Sequence, residues 1–324
     1  MTMKSFDIPP SHLVIGLLCA LLFSSCVDRS EFDLELDPDP PLMINALITD
    51  QAGPYYVQVS KAVSNFSGQD EYAFGGLHIG ESFNPITDAT VILSDDQGNS
   101  DVLELCTQSF APKSSWGDTL KLNQYGFYKT STNLRGVPGR TYTLTVQYDG
   151  NTYEAKTTMP NAPPTPTISY DQYIYPLLNF NEPQDEENYY MFFYREVFDN
   201  DSISSPAFAY NYPDNLWPFF YTSIQIRSDQ FWGSEVSNLD IHENNLIKGT
   251  QIKFCFECAE NMLIQMHSIT KEVYDFYSSL KQQARNDGGT FTTEPATPPS
   301  SFTNGVLGIF RASAVQSITA PIKY

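Results

Sequence analysis

Chemistry in a folded chain needs titratable or nucleophilic side chains at spacings that let them meet. This sequence offers few such groups. The histidines beyond the first 25 residues are His78, His242 and His267, far apart along the chain. None belongs to an H-E-x-x-H, and there is no G-x-S-x-G, Walker glycine loop or G-x-G-x-x-G. They read as isolated polar or partly buried residues. Acidic residues cluster at Asp95-Asp96, at Asp185-Glu186-Glu187, and at Asp33, Asp37 and Asp39. Carboxylate groups can serve glycosidases or bind calcium, but no D-x-D-x-D-G ladder is present, so these runs read as solvated loop surface. Cys255 and Cys258 form a C-x-x-C pair. Thioredoxin-like redox chemistry would need a βαβ context. A zinc site would need a second pair, and His242 and His267 stand 13 and 9 residues away, at no zinc-finger spacing. A disulfide needs only an oxidising compartment. It ranks first, with buried reduced thiols second and a metal third. No constellation supports catalysis or a cofactor, so a non-enzymatic role is expected.

The strongest binding candidate is aromatic. In "YNYPDNLWPFFYTS" and "DQFWGSE", the residues Tyr210, Tyr212, Trp217, Tyr221 and Trp232 could stack on sugar rings or anchor a protein partner. The alternative is that these aromatics fill a core. Pro213 and Asn215 mark a loop, which keeps the contact-surface reading open.

These residues need a body, and the bulk properties constrain it. The chain has 324 residues and a net charge of −20. Such acidity repels nucleic acid and argues against that class of partner. The apolar run Leu13–Phe23 has 11 residues, whereas a membrane-spanning helix needs roughly 20. It has the length of a secretory signal core. Ser24 and Ser25 then precede Cys26, and that order resembles the bacterial lipobox. Residues 1–25 are expected to be removed, leaving Cys26 lipidated. Their loss takes Lys4 and Asp7 and leaves the net charge at −20. Residues 26–41 are acidic and Pro-bearing, a solvated tether between lipid and body.

Beyond the tether the pattern is β. Leu42, Ile44, Ala46 and Ile48 alternate, as do Tyr55, Val57 and Val59. Residues 64–84 read as a long loop. "ATVILSDDQGNSDVLEL" reads as strand, turn and strand. In "RTYTLTVQYDGNTYEAKTTMP", Tyr142, Leu144, Val146 and Tyr148 line one face, and Asp149-Gly150 supplies a hairpin turn. Short strands at this spacing suggest an immunoglobulin-like β-sandwich over 42–160. Residues 161–167 form a Pro-rich linker. A second β-rich domain with one packed α-helix is expected over 168–324. Its strands are "NYYMFFYREVF", "PFFYTSIQIRS" and a last one around Val306–Phe310. Its helix is "SITKEVYDFYSSLKQQARNDGG", with Ile269, Val273, Tyr277, Leu280 and Ala284 on one face. Ser268 or Thr270 can cap its start and Gly288-Gly289 its end.

These segments together carry a resemblance. Cys26, "INALITDQAGPYYVQVSKA", "PITDATVILSDDQG", "GFYKTSTNLRGVPGRTYTLTVQYDGNTYEAKTTMP", "SITKEVYDFYSSL" and "NGVLGIFRASAV" follow in the order seen in the DUF4249 family of Bacteroidota outer-membrane lipoproteins, which the chain resembles. The resemblance implies a lipid-anchored accessory partner of a TonB-dependent outer-membrane transporter, on the periplasmic or cell-surface face. A stand-alone surface glycan- or peptide-binding lipoprotein is the second reading. No catalytic residues carry over. In that phylum Asp118-Thr119-Leu120 and Asp201-Ser202-Ile203 would match a short O-glycosylation sequon, at Thr119 and Ser202.

Overall fold

Alternating apolar residues near the start of the body build the first layer. The computed structural model describes residues 40–61, 84–111, 119–131, 134–170, 176–197, 213, 215–220, 225–241, 260–285 and 298–323. Here Leu42, Ile44, Ala46 and Ile48 point to one side of β1 (Leu42–Thr49), and Val57 and Val59 to the same side of β2 (Tyr56–Lys61). The short β3 (Asn84–Pro85) pairs with β2. The strand-turn-strand segment is β4 (Thr90–Asp95) and β5 (Ser100–Leu105). Two short strands, β6 (Ser109–Phe110) and β7 (Leu120–Lys121), make a separate ribbon before β8 (Phe127–Lys129). The expected hairpin is β9 (Thr141–Tyr148) with β10 (Asn151–Thr158). Asp149 and Gly150 at its tip both have positive φ, at 49° and 73°, the conformation whose twist matches the flanking strands.

The ladder runs β10-β9-β4-β5-β8-β2-β1, and β5 is its hinge. Residues 100–103 of β5 pair with β4, and Glu104 and Leu105 pair with β8. Val91, Leu93, Leu144 and Val146 from one limb therefore meet Ile44, Ala46, Val57, Val59 and Tyr128 from the other in one core. Burying each such aliphatic side chain stabilises the fold by about 1.5–3 kcal/mol relative to leaving it in water.

The second half adds β11 (Thr167–Ser169), β12 (Leu177–Asn181), β13 (Tyr189–Val197), β14 (Gln225–Ser228), β15 (Glu235–Leu239), β16 (Asn261–Ile269) and β17 (Leu307–Pro321). Its helices are the single turn α1 (Trp217–Phe220) and the longer α2 (Lys271–Arg285). Strands β17, β16, β13 and β14 make a sheet with two covered faces. On one face Tyr190, Phe192, Met262 and Ile264 pack on Leu178, Phe180 and Val236 of the small sheet β11-β12-β15. On the other, Met191, Phe193 and Ile309 pack on Val273 and Tyr277 of α2. The Thr270 hydroxyl caps α2 by accepting from the Val273 amide at 3.4 Å.

The fold is mainly β, as the sequence predicts, but its two halves are not separate bodies. The described residues from Pro40 to Lys323 fall in one compact unit, and the expected linker at 161–167 lies within it. The physical reason is β17. Leu307–Ser313 pairs in parallel with Met43–Thr49 of β1, and Ala314–Pro321 then pairs antiparallel with β16. One strand belongs to both sheets. Gly308 permits this join. It lies opposite Ile44 with φ 130°, and a Cβ there would strike the Ile44 carbonyl oxygen. Asn215 adds a second tie. Its Oδ1 accepts from the Thr49 hydroxyl at 2.8 Å, and its Nδ2 donates to the carbonyls of Ala52 at 2.6 Å and Pro54 at 3.3 Å.

Two further expectations are corrected. "PFFYTSIQIRS" does not form one strand. Pro218 sits in the first turn of α1, where a missing N–H costs nothing, and Gln225–Ser228 form β14. The last strand extends to Pro321 rather than stopping at Phe310, because its second part finds a new partner in β16.

Candidate functional site

The expected aromatic surface resolves into core and tip. Leu216 is buried, and the Phe219 ring meets Phe127 edge-on at 5.3 Å, so the described part of "NLWPFF" enters a core with Tyr56, Cys106 and Phe127. Trp232 lies flat against Tyr190, with centroids 5.8 Å apart and planes 14° apart, and edge-on to Phe180 at 5.6 Å. It too packs inward. Its neighbour Phe231, which the sequence reading does not single out, is 89 % exposed.

A dense hydrogen-bond network holds Phe231 out. β13 and β14 are joined at Tyr189 and Ser228, and the turn beyond them is tied at several points. The Asn188 amide donates to Asp229 Oδ2 at 2.8 Å, the Asp229 amide to the Asn188 carbonyl at 3.1 Å, and the Trp232 amide to the Asp229 carbonyl at 2.7 Å. Beneath the turn lies Glu182, 4 % exposed. Its Oε1 accepts from the Tyr190 hydroxyl at 2.8 Å and from Asn188 Nδ2 at 3.0 Å. Its Oε2 is buried with no hydrogen-bond partner. Burial raises the Glu182 pKa, with Asp229 and Glu186 adding to it, against the lowering bonds from Tyr190 and Asn188. Burial and then the bond to Glu182 push the Tyr190 phenol well above its usual range. The result is a rigid aromatic tip set over a partly satisfied carboxyl. The exposed carboxylates Asp185, Glu186 and Glu187 lie in the loop before β13, and exposed Glu235 opens β15. Asp185, Glu186 and Glu187 are thus surface charges, as read from the sequence.

Asp95 differs from a solvated surface charge. Its Oδ1 accepts from the amides of Gln97 and Asn99 at 3.0 and 2.9 Å, and its Oδ2 from Asn99 Nδ2 at 2.8 Å and Arg140 Nη1 at 3.0 Å. Burial pushes its pKa up, but the bonds from Asn99 and Gln97 and the Arg140 charge outweigh that and lower it. It organises the β4–β5 turn. Cys106 is a free, buried thiol whose pKa burial raises. Thr119 is exposed, next to buried Leu120. Cys26, Cys255, Cys258, Ser202, Tyr212, Tyr221, His78, His242 and the side chain of Trp217 lie outside the described residues.

A buried polar group on the α2 side of the sheet also escapes a reading by motif. Arg311, in β17, is 1 % exposed, and His267, in β16, is 2 % exposed. Arg311 Nη1 contacts Met191 Sδ at 3.3 Å, and its guanidinium lies 5.5 Å from the centroid of the Tyr277 ring. Burial and the Arg311 charge push His267 down to about 3, so its ring is neutral. A buried guanidinium cannot shed its proton, and its desolvation costs on the order of several kcal/mol. The Tyr277 ring returns about 2 kcal/mol. The sole sequence signal is an arginine inside the apolar run "VLGIFRASAV".

A family model described as a domain of unknown function (DUF4249) matches residues 29–319. The chain belongs to the DUF4249 family. No curated protein matches it. For this DUF4249 protein, no group of three or more His, Cys, Asp or Glu side chains among the described residues is placed to hold a metal. No helix among them is long and apolar enough to cross a membrane.

Proposed function

We propose that this protein is a lipid-anchored, non-enzymatic accessory protein of the bacterial cell envelope. It is held in the outer membrane through Cys26 and the acidic tether of residues 26–41, with its first lobe an immunoglobulin-like sandwich. Its partner is a TonB-dependent outer-membrane transporter, which it serves in ligand capture, gating or assembly. The observation that supports this reading is Phe231. A phenylalanine 89 % exposed at a turn tied by hydrogen bonds offers a partner an aromatic ring at a fixed place. Its surroundings are acidic, so the complementary surface is an apolar pocket with a basic rim. Trp232 spends one face on Tyr190, which makes it a weaker platform for the stand-alone glycan- or peptide-binding reading.

The test is co-purification from outer membranes with the native protein and a Phe231→Asp variant. A barrel transporter should accompany the native protein, with at least a tenfold loss for Phe231→Asp at unchanged stability. Recovery of no barrel with the native protein would sink the proposal. A glycan array bound by the native protein, and not by Phe231→Asp, would favour the second reading instead.

A further inference from the structure

Several buried polar atoms lack hydrogen-bond partners, and a group of them shares one face of one sheet. Asn45 Oδ1, His267 Nδ1, Arg311 Nε, Arg311 Nη2 and Ser313 Oγ are all in this state. Register strings them along that face, with Arg311 and Ser313 at its centre, Asn45 toward one end and His267 toward the other. Arg311 pairs with Leu47, Ser313 with Thr49 and Ile309 with Asn45 across β17 and β1. His267 pairs with Val315 across β16 and β17, and with Met191 across β16 and β13. Residues 309, 311, 313 and 315 alternate to the α2 side, where Arg311 touches Met191 and Tyr277. On the opposite side, Phe310, Ala312 and Ala314 fill the first core.

The pattern within Arg311 is specific. Its end nitrogen Nη1 is used on Met191, while Nε and Nη2, the two parallel donors along one edge of the guanidinium, are free. That edge is the fork that grips a carboxylate or phosphate with two parallel bonds. Arg311 has no ion pair among the described residues. Ser313 Oγ can donate from two positions further along the strand. The Asn45 amide can turn to present its nitrogen. Buried polar groups are satisfied as a rule, and a buried cation is paired. A fork that meets neither rule is built for something that completes it.

We propose that the α2-covered face of the sheet is a binding site for a small oxyanion-bearing molecule, gripped by the Nε/Nη2 edge of Arg311 with Ser313 beside it. The free atoms are sealed from water, so the ligand gains them when α2 shifts. This site is separate from Phe231 and does not depend on a transporter partner.

Thermal unfolding of the full chain tests it, in sodium acetate and in sodium phosphate against sodium chloride of equal ionic strength. At saturating concentration at least one oxyanion should raise the midpoint by about 4 °C over chloride. The two salts distinguish a carboxylate from a phosphate ligand. Arg311→Met should fold, because an apolar side chain of similar length replaces a buried charge, and should abolish the rise. Should it not fold, Arg311→Lys keeps the charge, loses the paired donors, and should reduce the rise at least threefold. A second readout is the His267 ring in proton NMR, whose titration should move upward when an oxyanion offsets the Arg311 charge. No rise over chloride with either salt, or an undiminished rise in both Arg311 variants, would overturn the proposal.

Discussion

Acid should weaken this protein through His267 well before ordinary carboxylates titrate. In the folded state burial and Arg311 hold its pKa at about 3, against 6.5 for the free side chain. The unfolded chain therefore takes up a proton that the folded chain refuses. For a depressed pKa, the stabilisation is full above about pH 6.5 and is lost as pH falls toward 3. At 1.36 kcal/mol per unit, the span corresponds to about 5 kcal/mol in all, of which about 2 kcal/mol falls between pH 7.5 and 5. Glu182 acts in the opposite sense. Its pKa is raised in the fold, so its protonated form stabilises at low pH, and that contribution is lost as pH rises through the folded pKa. The clean comparison therefore uses a Glu182→Gln background. Urea unfolding at pH 7.5, 6 and 5 should show a fall of about 2 kcal/mol in that background, and a much flatter profile once His267→Gln is added. Equal slopes with and without His267 would refute the reasoning, because they would mean that the imidazole either reaches water or finds a counter-charge.

Three other perturbations follow from the seams and turns. Gly308→Ala forces a Cβ against the Ile44 carbonyl oxygen and should cost about 3 kcal/mol or more in chemical denaturation, with loss of amide protection along β1 and β17. Asn215→Ala leaves the Thr49 hydroxyl and two carbonyls without their partner and should cost about 1–3 kcal/mol by the same measurement. Asp95→Ala removes four accepted bonds and should cost about 1–3 kcal/mol at pH 7. Because the Asp95 pKa is lowered in the fold, that difference should shrink as pH falls below about 4, the unfolded carboxylate value.

Local features were legible in the sequence. The 141–158 hairpin follows from strict alternation and from Asp149-Gly150, since both signals lie within the segment. Helix α2 follows from its apolar spacing, with Thr270 as its cap. The joins between halves were not legible, because their partners are far apart. Nothing near Ile44 or Gly308 announces that they face each other. β17 is buried on both sides from Ile309 to Val315, so its apolar run carries no period that would reveal two different neighbours. The exposed Phe231 stood beside a tryptophan that reads as the better binding residue, yet the tryptophan packs inward. Arg311 and Glu182 belong to no motif, and their burial is a property of the assembled layers.

The sharing of β17 between two sheets also dictates an order of assembly. Met43 and its neighbours are made early, and their parallel partners beginning at Leu307 are made late. During synthesis, and during any passage across a membrane as an unfolded thread, one edge of β1 stays open until that distant segment arrives. Hydrogen-bonding groups on an open edge recruit other strands, and pairings this remote form slowly. The same strand that makes the two halves one body is therefore the step at which an unfinished molecule is most exposed to aggregation, and the place where a holding chaperone would do the most good.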